Sequence, residues 1–313
     1  MRSGGESGMK RKGNHSVRAH SSRTEGKVVV HFGGGLGNQL YNYATGLHLA
    51  HSTGRLLVKD PSEYLMIWNR RYDLDEFIGP AQSPKSGAFA TLVFLVWRVL
   101  LQIRFPWTAG FLRCFGVEWR HSPGVLNDSS FTDDLNGAFA KSDKRVLLVS
   151  GCCQDMRALV TREEARAVFL PVASVSFDPG PRSVSLHIRR GDYLECKWAL
   201  DDSYYRNAVN RMKELVGNPK WFVFSDDIEW CRQRYGDIGE VHFVEGDVHH
   251  PWKDLVKMSK CRHHIIANST FSWWAAYLSD QDGYTIYPNP WIKGSPAVKG
   301  VLVPDEWLPC GHN

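Results

Sequence analysis

The sequence predicts an α/β protein of two halves, each built on a largely parallel sheet and facing the other across a ligand crevice. Three observations carry this. A strand, glycine loop and helix unit opens the ordered chain at Lys27, and a Pro/Gly break falls at Phe177-Asp-Pro-Gly-Pro181. Beyond the break, apolar runs at 183–189, 221–225, 241–244, 264–267 and 284–287 alternate with helical segments of ordinary length. With 313 residues, 43% of them hydrophobic, the chain is long enough to bury two such cores.

Residues 1–26 come first and hold six basic residues (Arg2, Lys10, Arg11, Lys12, Arg18, Arg23) against two acids (Glu6, Glu25). They carry most of the net charge of +5, so the remainder is nearly neutral and a nucleic-acid partner is not expected. This Ser/Gly/His-rich tail has almost nothing to bury and reads as disordered.

Order begins at Lys27-Val-Val-Val-His-Phe32, a β-branched run closed by Gly33-Gly34-Gly35. Leu40, Tyr43, Ala44, Leu47 and Ala50 then recur at helical spacing until Gly54. A glycine loop at a helix start lets backbone amides approach an oxygen-rich ligand. A dinucleotide fingerprint would need a third glycine where Asn38 stands, so NAD is not expected. Asn38 and Gln39 either cap this helix or meet a ligand in the crevice.

Residues 60–145 give no assignable connectivity. Within them Ala88–Phe105 is the most apolar stretch, but Arg98 interrupts it and leaves less than a span, so it reads as a buried or surface-docked helix. Val146–Ser150 is a strand and Glu163–Phe169 a helix. The seven cysteines are an odd set without a CxxC pair; buried free thiols are the expectation, with Cys310 the one placed to pair in an oxidising compartment. Asn14, Asn127 and Asn268 open glycosylation triplets that matter only in a secretory lumen.

Two constellations carry chemistry in the second half. In Ser183-Val-Ser-Leu-His-Ile-Arg-Arg-Gly-Asp-Tyr193, period-two alternation puts His187 and Arg189 on one face and Val184, Leu186 and Ile188 on the other. Arginine grips phosphate through two parallel donors, which suits a pyrophosphate. Arg190 is expected to point away and to pair with Asp192. Downstream, Leu255, Val256, Met258 and Ser259 form one helical face, Ile265-Ile-Ala267 a strand, and Asn268-Ser-Thr opens a helix holding Trp273 and Trp274. The hydroxyls and free amides of that helix start form a second anion site or a plain N-cap, and the two tryptophans are expected in the core.

In these stretches the chain resembles the α-1,2-fucosyltransferases of glycosyltransferase family 11. GGLGNQLYNYATG, SLHIRRGDY, FSDD and CRHHIIANSTFSWWAAYLS stand in the family's order between about residues 28 and 308. The resemblance implies a GT-B-like architecture of two Rossmann-like halves, with 27–176 as the acceptor-side domain and 182–313 as the GDP-fucose-binding domain. It implies inverting transfer of fucose to the 2-hydroxyl of a galactose-containing glycan, without a cofactor or an essential metal. The wider group of α-1,6- and peptide O-fucosyltransferases implies that His187 contacts the nucleoside, Arg189 the β-phosphate, Asp254 the guanine edge, and Ser269, Thr270 and Phe271 the phosphates. Asn38, with Gly35 and Gly37 of its loop, falls across the cleft near the reacting centre.

Breaking the fucosyl bond leaves charge on the β-phosphate, and Arg189 is the cation placed to stabilise it. No Asp-x-Asp pair sits in a loop after a strand, which favours arginine over a metal. The general base stays open among Asp192, Asp226 and Glu245, with Asp192 weighed against a structural pair with Arg190. A fucosyltransferase with another acceptor and an inactive GDP-sugar-binding module remain alternatives. Membrane association is compatible with the sequence although no transmembrane segment is evident. The compartment, Golgi or cytoplasm, depends on a source the sequence does not give.

Overall fold

A computed structural model describes residues 26–65, 70–79, 112–122, 129–169, 175–292, 294 and 299–311. The N-terminal tail, the Ala88–Phe105 stretch and the triplets at Asn14 and Asn127 lie outside the described residues.

The first half runs β1 (Lys27–His31), α1 (Leu36–Thr53), β2 (Leu56–Asp60), a 3-10 turn (Ser62–Leu65), α2 (Leu74–Ile78), β3 (Val117–Ser122), α3 (Ser129–Asp134), β4 (Val146–Gly151) and α4 (Arg162–Phe169). Its sheet is parallel throughout, in the order β2-β1-β4-β3. Val28 and Val30 pack with the apolar stripe of α1, while Val29, Val58, Val117 and Leu148 fill the opposite face. Gly54 ends α1 in the left-handed region at φ 64°, and its amide returns to the Ala50 carbonyl.

The second half runs β5 (Ser183–Ile188), α5 (Gly191–Glu195), α6 (Asp202–Val216), β6 (Lys220–Ser225), α7 (Ile228–Tyr235), β7 (Glu240–Phe243), α8 (Pro251–Lys260), β8 (His263–Ile265), α9 (Thr270–Leu278), β9 (Thr285–Asn289) and β10 (Leu308–Gly311). Its six strands lie in the order β10-β9-β8-β5-β6-β7, all parallel. Read from the far edge, this is the 3-2-1-4-5-6 order of Rossmann folds, whose ligand crevice opens where the order reverses, here between β5 and β8. Val184, Leu186 and Ile188 pack on Tyr204, Tyr205, Val209 and Met212 of α6, as the alternation along β5 requires. The two Rossmann-like halves facing a cleft are thus the GT-B-like arrangement expected from the sequence.

The halves also share one apolar core. Tyr41 of α1 packs its ring 4.8 Å from Trp273 and 5.1 Å from Trp274 of α9, and Phe169 of α4 meets Trp274 edge-on at 5.3 Å. Both tryptophans are fully buried, as expected, and truncating either would cost about 3–5 kcal/mol. Where α1 starts, Gly37 lies against α9 so closely that an added Cβ would stand 2.5 Å from Thr270 Oγ1 and 2.6 Å from the Phe271 nitrogen. Glycine is what lets the two helix N-termini meet. Among the described residues no helix is long and apolar enough to cross a membrane.

Candidate functional site

A cavity of about 680 Å³ opens between the halves at the carboxyl ends of both sheets. Gly35, Gly37 and Asn38 line it from the first half. His187, Arg189, Asp192, Asp254 and the run Ser269, Thr270, Phe271 line it from the second. These residues, with Asp226, border one space; of the general-base candidates named in the sequence, Glu245 is not on its wall.

β5 delivers the first pair. His187 is the penultimate residue of the strand, 5% exposed, and its Nδ1 has no hydrogen-bond partner. Burial, assisted by the Arg189 charge, lowers its pKa to about 3, so the imidazole is neutral. Arg189 follows the strand and is held between two carboxylates, Nη2 donating to Asp192 Oδ1 at 2.6 Å and Nη1 lying 3.0 Å from Asp226 Oδ2. Its guanidinium is fixed in place and faces the cavity with its orientation already set.

The expected Arg190–Asp192 pair does not form. Gly191 begins helix α5, and one turn carries Asp192 back to Arg189 at the i,i+3 spacing. Arg190 instead stacks over Trp230 at 3.8 Å and pairs with Asp227 at 3.0 Å. The second oxygen of Asp192 accepts from Arg70 of the other half at 2.5 Å. One carboxylate thus joins two guanidiniums across the cleft. Burial works to raise the Asp192 pKa, but the charges and hydrogen bonds of Arg189 and Arg70 outweigh it and lower the pKa. That makes Asp192 a poor proton acceptor. Asp226 is likewise occupied, accepting from the Arg190 amide at 2.9 Å besides its pair with Arg189. Glu245 pairs with Arg232 on the surface, 69% exposed, and does not itself line the cavity.

β8 and α9 deliver the second constellation. Ser269 is the N-cap of α9, its hydroxyl accepting from the Phe271 amide at 3.3 Å. Asn268 is 4% exposed and donates to the Trp198 carbonyl at 2.8 Å, so its triplet is buried structure and not a glycosylation acceptor. The Phe271 ring lies 5.8 Å from the His187 imidazole, which places the helix start beside the end of β5. The first-turn amides of α9 and the Arg189 guanidinium are thereby gathered at the reversal point between β5 and β8.

Asn38 caps nothing. Gly35 is the N-cap of α1, without a side-chain bond. The Asn38 Oδ1 accepts from Thr270 Oγ1 at 3.0 Å and from Gln154 Nε2 at 3.3 Å, joining the two helix starts across the cleft. Gln39, fully buried, accepts on Oε1 from the amides of Asp73 and Leu74 and donates on Nε2 to the Arg71 carbonyl. It anchors the segment that brings Arg70 and Arg71 to the cavity wall. Those two arginines were missed in the sequence because they stand in a stretch without period; Gln39 was the available signal.

Asp254 faces the cavity from the first turn of α8, which begins at Pro251 with His250 at the N-cap. Its oxygens accept one bond each, from the Asp247 amide at 3.1 Å and from Lys257 Nζ at 3.1 Å. The carboxylate therefore staples the preceding loop and does not cap its own helix. Lone pairs remain on both oxygens. All seven cysteines are free, and Cys153, Cys231, Cys261 and Cys310 are buried as expected, whereas Cys114 and Cys196 are exposed.

The sequence profile of Glycosyl transferase family 11 matches residues 162–307. An alpha-1,2-colitosyltransferase of Escherichia coli is 30% identical over 304 residues, which cover 90% of this chain and 98% of that protein. Galactoside alpha-(1,2)-fucosyltransferase 2 of Mus musculus is 28% identical over 298 residues, covering 87% of this chain and 76% of that one. Among solved structures, a mutant of Arabidopsis thaliana FUT1 in complex with GDP is similar in fold, with a TM-score of 0.53 at 12% identity over 91% of this chain and 76% of that chain.

Proposed function

The chain belongs to glycosyltransferase family 11, and from that premise we propose that it transfers L-fucose from GDP-fucose to the 2-hydroxyl of a galactose-containing glycan, with inversion. The observation that carries this reading is the convergence of Arg189 with the first-turn amides of α9 at the reversal point of a Rossmann sheet. That arrangement suits a pyrophosphate whose β-phosphate becomes a leaving group. The charge gained on bond cleavage meets a guanidinium already oriented by Asp192 and Asp226, so little reorganisation is needed in the transition state.

In this reading the guanine lies toward Asp254 and the nucleoside toward the neutral His187, both on the cavity wall. The fucose projects toward Asn38 and the glycine loop. The acceptor then approaches from the first half while the phosphate departs into the second, opposite sides of one carbon, which is the geometry of inversion. The stabilising charge comes from arginine, so catalysis proceeds without a metal.

A second donor is favoured by one observation. A relative 30% identical over nearly its whole length is a colitosyltransferase. Colitose is fucose without its 3-hydroxyl, so the two donors differ by one polar group. Incubating the protein with GDP-fucose and with GDP-colitose, each with terminal galactosides and with EDTA, and locating the new bond by NMR, tests the reading. An α-1,2 linkage from GDP-fucose is expected. Efficient transfer from GDP-colitose alone reassigns the donor, transfer to another position or to a protein hydroxyl reassigns the acceptor, and loss of activity restored by magnesium returns the charge stabilisation to a metal.

A further inference from the structure

The sheet of the first half ends in a row of polar side chains. His31 and Asp60 are register partners on neighbouring strands, as are Ser150 and His121, and Val30 pairs with Val149, which brings His31 level with Ser150. By strand alternation all four lie on the face opposite α1, beyond the apolar layer of Val29, Val58, Val117 and Leu148. Asp60, His31, Ser150 and His121 therefore form one line across all four strands.

The line is bonded in two pairs. His31 Nδ1 lies 3.2 Å from Asp60 Oδ2, and His121 Nδ1 lies 3.0 Å from Ser150 Oγ. Glu63, from the 3-10 turn after β2, reaches in with Oε2 at 3.0 Å from His31 Nε2. His31 and Asp60 are buried, whereas Glu63 is 25% exposed, so the carboxylate of Glu63 is where the buried pair meets solvent. Burial opposes charge on His31, but the hydrogen bonds and charges of Asp60 and Glu63 prevail and its pKa is raised.

Glu63 also touches the loop that walls the cavity. An added Cβ on Gly33 would stand 2.9 Å from Glu63 Oε1, and the hydroxyl of the next residue, Tyr64, donates to the Gly34 carbonyl at 2.7 Å. Gly34 lines the cavity. The carboxylates on the far side, Asp192 and Asp226, are occupied by guanidiniums. Of the acids near the glycine loop, Glu63 has Oε2 engaged by the His31 imidazole, and both of its oxygens stand close to the loop, 2.9 and 3.0 Å from a Cβ added on Gly33.

We infer that Glu63 is the proton acceptor of the transfer reaction and that His31 and Asp60 are the pair that positions it. This rests on the glycosyl transfer proposed above. As the acceptor oxygen bonds to the anomeric carbon, the bond from that carbon to the β-phosphate oxygen breaks and its electron pair stays with GDP. The hydroxyl proton passes to Glu63 Oε1 and leaves to solvent after the product departs. His31 Nε2–H keeps Oε2 occupied, so the free oxygen is presented in one orientation.

Three variants of the full chain test this. Glu63→Gln keeps size and should lower kcat for transfer by about 10²–10⁴-fold while GDP affinity and the acceptor KM hold. Glu63→Ala should be partly restored by added formate, a small anion able to act as the missing base. His31→Gln should lower kcat alone and add almost nothing in a Glu63→Gln background, because it acts through that carboxylate. Transfer by Glu63→Gln within a few-fold of wild type overturns the assignment, as does lost GDP affinity in that variant or a Glu63→Ala enzyme that formate leaves inactive. Absence of transfer by the wild type itself overturns the functional reading, and the base with it.

Discussion

The two sheets are built alike and end in opposite chemistry. The carboxyl end of the second sheet carries Arg189 and the N-terminal turn of α9, a setting for an anion. The carboxyl end of the first carries Asp60, His31, Ser150 and His121 with Glu63 beside them, a setting for neutral hydroxyls and their protons. Strand order alone would allow a nucleotide on either sheet. Side-chain charge is what assigns the donor to the second half and the acceptor to the first in the proposed reading.

The largest effect expected falls on the donor side. Arg189→Lys keeps the charge but gives up the two-donor fork held by Asp192 and Asp226, and should raise the barrier by about 2–4 kcal/mol. Steady-state kcat on a folded variant measures it. Near-normal turnover would break the contrast at its strongest point.

Next comes the seam between the halves. Gly37→Ala places a methyl against the Phe271 nitrogen and Thr270, forcing the helix starts apart at a cost of about 1–3 kcal/mol. Both Tm and GDP affinity should fall. An unchanged Tm would mean that the helices separate without strain.

The halves should also answer pH with opposite signs. His187 has a folded pKa lowered to about 3, chiefly by burial, so the unfolded chain takes up the proton first and stability is lost as pH falls below the ordinary value of 6.5. The loss is about 1.4 kcal/mol one unit below that value, and His187→Gln should remove it. His31 has a raised pKa, so its contribution is present below 6.5 and lost as pH rises through the folded value. His31→Gln should flatten that alkaline side. Urea titrations across pH read both, and matching slopes for the two variants would erase the distinction.

The smallest effect concerns the base of the nucleotide. Asp254→Asn should weaken GDP binding by about 1 kcal/mol, since an amide accepts fewer hydrogen bonds than a carboxylate. If Asp254 only staples the Asp247 loop, Tm drops while a calorimetric GDP titration stays at the wild-type value.

The contrast was unevenly legible. In the second half dense motifs sit on clean alternation, so β5 through β9 and the helix opening at Ser269 and Thr270 could be read directly. In the first half β2 ends in Lys59 and Asp60, which look like a polar turn. Yet Lys59 is fully buried against Asp75 at 2.6 Å and Asp60 against His31. β3 hides in the same way, since buried Glu118 is paired with Arg113 and Arg120. Buried charge breaks the hydrophobic period on which strand reading depends, and it did so where the acid and imidazole cluster lies. Arg70 was missed for another reason: its role depends on a partner in the other half, and no local pattern marks it.

The division of labour can be tested most directly by amide hydrogen exchange with and without GDP. Protection is expected at residues 187–193 and 268–272, with the segments around His31, Glu63 and His121 unchanged. Protection of those three segments, with the first two regions unaffected, would contradict the account.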